Sequence, residues 1–350
     1  MNGLGVVLET ARRAQGMTQA DLSDAAGITQ AALSRYENGL RDPEDDILER
    51  LADVLNLTTD FLRQAGHVRD ANGLHAHMRR RQTARPSDWR RLEARLNMHR
   101  LHARRLFEEI SLHTEHRLPT FDPIETDAAT AATFVRAQWR MPSGPVRNLT
   151  QWVEAAGCVV LEEDFAGARV DGLSQWTDDV PVILLNAHAP TDRKRLTLAH
   201  ELGHLCLHSV EIGEDVESEA NSFAAEFLMP MVTIRPQLKN LDLGKLRDLK
   251  RDWQVSMQAL VERTLEAGLI TGQRRTSLYK ALSAKGWRVA EPLSEELARE
   301  HPALTRDVGK ALTRTGLSEQ EIAQILGYRR VAEDARPFLP SGPRLRALRP

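Results

Sequence analysis

The sequence predicts a multidomain chain: an all-α helix-turn-helix domain at the N-terminus, an α+β domain in the middle and a mostly helical C-terminal region. Three observations carry this. Residues 4–65 hold short amphipathic helical runs separated by glycines and small polar cap residues. From residue 124 the pattern becomes two helices, two short apolar strand runs and another helix, which is an α+β order. After residue 236 apolar residues return at helical spacing. The 350 residues suit two or three domains. The expected divisions are a helix-turn-helix domain at 1–66, a basic linker and helix at 67–123, a central core at 124–235, a helical region at 236–335 and a loose tail at 336–350.

Composition narrows the function classes. Apolar residues make up 41%, enough for a buried core, and the formal net charge is −2, so nucleic-acid affinity must come from local patches. The two cysteines, Cys158 and Cys206, sit among apolar neighbours and form no Cys-x-x-Cys pair, which argues against a zinc ribbon or a disulfide framework. The N-terminus turns polar too early for a signal peptide, and no run of about 18 apolar residues occurs. A cytoplasmic chain with no membrane partner is expected.

In the first segment, Leu4, Val7, Leu8 and Ala11 share a helical face. Thr18 stands at an N-cap position three residues before Asp21, and Gly27 suits the left-handed end of that helix. Thr29 can cap the next helix, which carries Ala32, Leu33 and Tyr36 inward and stops at Asn38-Gly39. Two short helices about a Gly-containing turn are a helix-turn-helix. The string TQADLSDAAGITQAALSRYENG resembles the Cro/C1-type repressor domain, over residues 4–65. The resemblance implies that the second helix of the motif enters the major groove of an operator, with Gln30, Ala31 and Arg35 facing bases and Gln19 and Asn38 contacting phosphate. It also implies a homodimer on palindromic double-stranded DNA.

Residues 67–95 are rich in arginine, including RRRQTARP at 79–86, and read as a solvated linker. A helix is expected over roughly 87–116, with Trp89, Leu92, Leu96, Leu101, Leu106 and Ile110 on its apolar side.

In the central region the strand runs are CVVLEE and PVILLNA at 181–187, and the helix after them reads RLTLAHELGHLCLH. Residues four apart share a helical face, so His200 and His204 point the same way and can fill two corners of a tetrahedral metal site. Glu201 lies about 100° around the axis. It can reach a water at the metal, which is the position of a general base in a zinc peptidase. The metal would acidify that water, and Glu201 would take its proton and pass it to the leaving amine. Gly203 disfavours a helix by about 1 kcal/mol relative to Ala, so it suggests a close approach by another element.

A third ligand is required. His208 continues the row, but it would lie about 12 Å from His200 along the axis, too far for bonds near 2 Å. Acidic candidates follow: Glu211, Glu214, Asp215, Glu217, Glu219 and Glu226. Helical spacing of Ala220, Phe223, Ala224, Phe227 and Leu228 starts a helix near Glu217 and favours Glu219, leaving Glu217 and Glu226 open. RLTLAHELGHLCLH followed by ESEANSFAAEFLMP resembles the ImmA/IrrE family of metallopeptidase domains, over roughly 125–290. That resemblance implies a zincin-like fold, one zinc ion per chain held by His200, His204 and Glu219, and Glu201 as the catalytic base. It also implies a protein substrate such as a repressor or partner regulator.

The stretch TRTGLSEQEIAQILGYRR reads as a structural helical pair, and ARPFLPSGPRLRALRP as a loose end. The whole reads as a DNA-binding regulator with a zinc-dependent endopeptidase centre. The competing reading is a repressor or antitoxin-like regulator whose metal site is sensory or inactive.

Overall fold

The computed structural model describes residues 3–65, 85–110, 114–167, 170–177, 180–208 and 215–340. The basic linker segment 66–84, the acidic candidates Glu211 and Glu214, and the tail 341–350 lie outside the described residues.

The helices begin with α1 (Gly3–Ala14), α2 (Gln19–Ala26), α3 (Gln30–Glu37), α4 (Asp45–Val54), α5 (Thr59–Ala65) and the long α6 (Pro86–Glu109). Next come α7 (Ala128–Gln138), α8 (Leu149–Ala155), strands β1 (Val159–Glu163), β2 (Gly172–Thr177) and β3 (Val180–Asn186), then α9 (Thr191–Leu207) and α10 (Val216–Leu228). The chain ends through α11 (Met231–Ile234), α12 (Leu243–Trp253), α13 (Met257–Glu266), α14 (Gly272–Ala284), α15 (Leu304–Arg314) and α16 (Glu319–Leu326). No helix among the described residues is long and apolar enough to cross a membrane.

Two compact units result. One gathers Met1–His113, Thr177–Val182 and Ala303–Pro350; the other gathers Thr114–Trp176 and Ile183–Pro302.

In the first unit α2 starts at a reciprocal capping box. Asp21 N–H donates to Thr18 Oγ1 at 3.1 Å, and Thr18 N–H donates to Asp21 Oδ2 at 2.7 Å. Gly27 ends the helix at φ 65, a left-handed conformation in which Gly carries no Cβ penalty. Leu8, Leu22, Leu33, Leu51 and Phe61 fill the core. Inside it Glu37 accepts from Arg12 Nε at 2.6 Å and Nη2 at 2.9 Å, a bidentate pair.

The C-terminal helices of this unit copy its first two. Residues 304–328 align with 4–28 without a gap: Leu304 with Leu4, Ala311 with Ala11, Gly316 with Gly16, Ser318 with Thr18, Glu321 with Asp21, Ile322 with Leu22 and Gly327 with Gly27. Both copies start their second helix with a capping box and end it at a left-handed glycine. They then diverge. Where α3 follows in the first copy, Tyr328 bridges to Leu57, Thr58 N–H donates to Gly327 O at 2.8 Å, and a 3-10 turn (Glu333–Phe338) comes next. Among the described residues the second copy therefore has no counterpart of α3, and it packs on α5 and α6, where the His102 ring stacks between Phe61 and Tyr328.

The second unit contains most of a three-stranded sheet in the order β1-β3-β2, so β2 is an edge strand. Only β1 and β3 were expected. The stretch GLSQWT hides its strand because Gly, Ser and Gln interrupt the apolar alternation that marks one. Helix α9 packs on α10, and α10 on α7. Ion pairs pin the start of α9: Arg195 bonds Glu300, and the fully buried Lys250 amine bonds Asp192 Oδ2 at 2.5 Å and Glu291 Oε2 at 2.7 Å.

Candidate metal centre and DNA-reading helix

Helix α9 is buried on several sides. Leu198, Ala199, Leu202, Leu205 and Cys206 enter the core, and Glu201 and His204 are buried as well. Gly203 faces Phe223 of α10, and a Cβ there would stand 3.1 Å from the Phe223 ring and Cβ. The absent side chain lets the two helices approach, which brings the first turn of α10 beside the histidines.

The two histidine Nε2 atoms are 3.1 Å apart. Glu217 adds a carboxylate, with Oε1 3.4 Å from His204 Nε2 and Oε2 3.7 Å from His200 Nε2. Bonds near 2.05 Å to a tetrahedral ion separate its donors by about 3.3 Å, so these spacings fit zinc. The two imidazoles and one carboxylate are also a common zinc donor set. Burial, the largest cause, lowers the His200 pKa and favours the neutral ring that a metal needs; the Glu201 charge opposes it.

Glu219 is placed elsewhere. Its Oε2 lies 2.7 Å from His208 Nε2, whose ring is fully buried. The reason is helical geometry: positions 217 and 219 lie about 200° apart around α10, so both cannot face one point. The carboxylate that the fold brings to the two histidines is therefore Glu217, whereas Glu219, the expected one, lies against His208. Asn221, one turn beyond Glu217, shares its face, and its Oδ1 sits 3.0 Å from His200 Nδ1. Glu226 lies with Arg263, away from the histidines.

Glu201 stands beside the cluster without joining it. Ser174 Oγ of β2 donates to Glu201 Oε2 at 2.7 Å. Gly172 makes this approach of strand to helix feasible, since a Cβ there would sit 2.5 Å from Thr197 Cγ2 and 3.3 Å from Glu201 Cγ. Sequence reasoning missed Ser174, because β2 itself was not legible. It also missed Asn221, although a polar residue one turn from a candidate carboxylate was an available signal.

In the first unit, Gln30, Ala31, Arg35 and Asn38 of the α3 segment are exposed. Gln19 is half-buried and its amide donates to Glu37 Oε2 at 2.8 Å. Asn38 Nδ2 donates to Ser34 O at 2.7 Å.

Comparison with known proteins assigns both regions. Residues 8–62 match the helix-turn-helix family model, and residues 153–265 match the model described as IrrE N-terminal-like domain. The chain carries a helix-turn-helix domain of the XRE type and an IrrE/ImmA-like domain. The N-terminal segment is similar to the HTH-type transcriptional regulator ImmR of Bacillus subtilis (strain 168), 39% identical over 59 residues, which is 17% of this chain and 46% of that protein. It is also similar to the SPbeta prophage-derived uncharacterized HTH-type transcriptional regulator YonR of the same organism, 33% identical over 64 residues, covering 18% of this chain and 59% of that protein. The matched region thus spans about half the length of these relatives. The IrrE-like segment contains β1 to β3, α9, α10 and every residue of the cluster, and its fold is metallopeptidase-like.

Proposed function

We propose that this chain is a DNA-binding transcriptional regulator whose IrrE-like domain is a zinc-dependent endopeptidase acting on a protein such as a repressor. The observation that carries the peptidase reading is the separation of roles at α9. His200, His204 and Glu217 converge through three donor atoms, while Glu201 is held out of that set by Ser174.

In this reading His200, His204 and Glu217 hold the ion. When bound, zinc would acidify a water and polarise a peptide carbonyl. Glu201 receives the proton on its carboxylate and delivers it to the amide nitrogen that leaves. Ser174 orients Glu201 for both transfers, and Asn221 holds the His200 ring. Glu201 and His204 are buried, while Glu217 keeps its carboxylate partly open to solvent.

The test is Glu201→Gln in the full-length zinc-loaded protein, with a purified helix-turn-helix repressor and the chain itself as substrates. Cleavage should fall by roughly 10²–10⁴-fold with zinc content unchanged. Unchanged cleavage would defeat the enzymatic reading and leave a sensory or inactive metal site as the alternative.

The DNA-reading assignment rests on the exposed face of α3 and the similarity to HTH-type regulators. A homodimer on a palindromic operator is part of this proposal. Gln30 and Arg35 would read bases, with Ala31 beside them, and Gln19 and Asn38 would meet phosphate. On an operator selected from random DNA, Arg35→Ala should weaken specific binding by about 1–3 kcal/mol. An equal loss on every sequence would make Arg35 a phosphate contact.

A further inference from the structure

We propose that His208 and Glu219 form a hydrogen-bonded relay that fixes the ring of His204, acting as positioning residues for the metal centre. The inference rests on His200, His204 and Glu217 being the ligands.

Three groups stand in a row. His204 Nδ1 is 2.9 Å from His208 Nδ1. The far nitrogen of the His208 ring, Nε2, is 2.7 Å from Glu219 Oε2. A nitrogen that binds a metal carries no proton, so a ligating His204 Nε2 puts the ring proton on Nδ1. That proton faces His208 Nδ1, 2.9 Å away, which then accepts it. The His208 proton is thereby placed on Nε2, and it is donated to the carboxylate. Each N–H meets an acceptor, and the row ends on a charge that strengthens the last bond.

His200 is held by a different partner with the same result. Asn221 Oδ1, 3.0 Å from His200 Nδ1, can only accept, so it draws the ring proton to Nδ1 and leaves Nε2 bare. Both rings thus present an unprotonated Nε2 to the point they share. The two arms differ in depth. His200 is reached by one residue, whereas His204, more deeply buried, is reached through a second ring with 0% exposure.

Plain packing explains this row poorly. An imidazole buried to this degree is unfavourable unless both nitrogens are paired, and a leucine would fill the space without that demand. The pairing also accounts for two sequence features left over: a third histidine one turn beyond His204, and a glutamate two residues from the one that joins the cluster.

The test measures zinc affinity of the full-length protein by competition with a chelating dye, with the absorption spectrum of the cobalt(II)-substituted protein as a second readout. Glu219→Ala should weaken zinc binding by about 10-fold and His208→Phe by about 10–100-fold, each changing the cobalt spectrum. His208→Gln, which can accept from His204 and donate to Glu219, should restore affinity to within a few-fold of the parent. Affinities and cobalt spectra unchanged in Glu219→Ala and His208→Phe would overturn the relay while the ligand assignment stands. A parent protein that binds no zinc, or binds it equally well as His200→Ala, would overturn the ligand assignment and the relay together. If His208→Phe fails to fold, Glu219→Ala decides, because that side chain is one-third exposed and its loss leaves no core void.

Discussion

Ser174 of the edge strand β2 and Glu201 of α9 are joined by a 2.7 Å hydrogen bond from hydroxyl to carboxylate. The bond links a strand invisible to hydrophobic patterning to the residue proposed as general base. It orients the Glu201 carboxylate by contact with the sheet. Ser174→Ala removes one hydrogen bond, worth about 0.5–1.5 kcal/mol. Peptide cleavage by the zinc-loaded protein should therefore fall by about 2–10-fold. Zinc content should stay at the parent level, and a matching loss of zinc would show that Ser174 supports the ligands instead.

Gly203 sets the distance between α9 and α10. Valine there would drive two methyl groups toward Phe223, which already stands 3.1 Å from an ideal Cβ. Overpacking of this kind costs about 1–3 kcal/mol. Gly203→Val should lower the denaturation midpoint and weaken zinc binding, because Glu217 is carried on α10. Gly203→Ala should be milder, since its gain of about 1 kcal/mol in helix propensity offsets the tighter contact. Chemical denaturation with and without zinc checks both.

The Arg12–Glu37 pair holds α1 to the end of α3, with both side chains almost wholly buried. Removing one partner leaves a buried charge without its counterion, at a cost of about 3–5 kcal/mol. Glu37→Ala should destabilise the DNA-binding unit strongly and free Gln19, which also bonds Glu37. Replacing Arg12 and Glu37 together by methionines should recover much of the loss. A fluorescence-monitored urea titration of the single and double variants decides this, and additive losses would contradict it.

His102 gives a pH dependence of known sign. Burial pushes its pKa down to about 3, against an ordinary value near 6.5, although its Nδ1–H donates to Leu326 O at 2.8 Å. The folded ring stays neutral where the unfolded one takes a proton. Its stabilising contribution is therefore complete only well above pH 6.5 and is lost as pH falls from there toward 3, at up to about 1.4 kcal/mol per pH unit. His102→Phe keeps the stack with Phe61 and Tyr328 and removes the titration. Between pH 6.5 and 5 the parent should lose about 1.6 kcal/mol more than this variant. Equal slopes in denaturation at these pH values would refute the assignment.

Legibility differed from element to element. Thr18, Asp21 and Gly27 announced α2 because capping acts over three to five residues, and the structure places each in that role. His200 and His204 were legible for the same reason, being one helical turn apart on one helix. The third carboxylate was not. Choosing between Glu217 and Glu219 needs the rotation of α10 about its axis, and that rotation follows from which residues pack on α9.

The C-terminal repeat teaches the same lesson from another side. Its capping box and glycine were present in the residues as plainly as those of α2, and a helical pair was expected there. Its place against Leu57 and His102 was not, because those partners are more than 220 residues away in the chain. By itself, then, the sequence determined the helix-turn-helix, the histidine pair with its adjacent glutamate, and the two strands β1 and β3 that flank the unseen β2 in the chain, all of which rest on periodicities shorter than two helical turns. Only the tertiary structure decided that Glu217 meets the histidines, that Glu219 serves His208, and that Ser174 reaches Glu201. Each of these depends on how closely two separate elements pack, which Gly203 and Gly172 permit but do not specify.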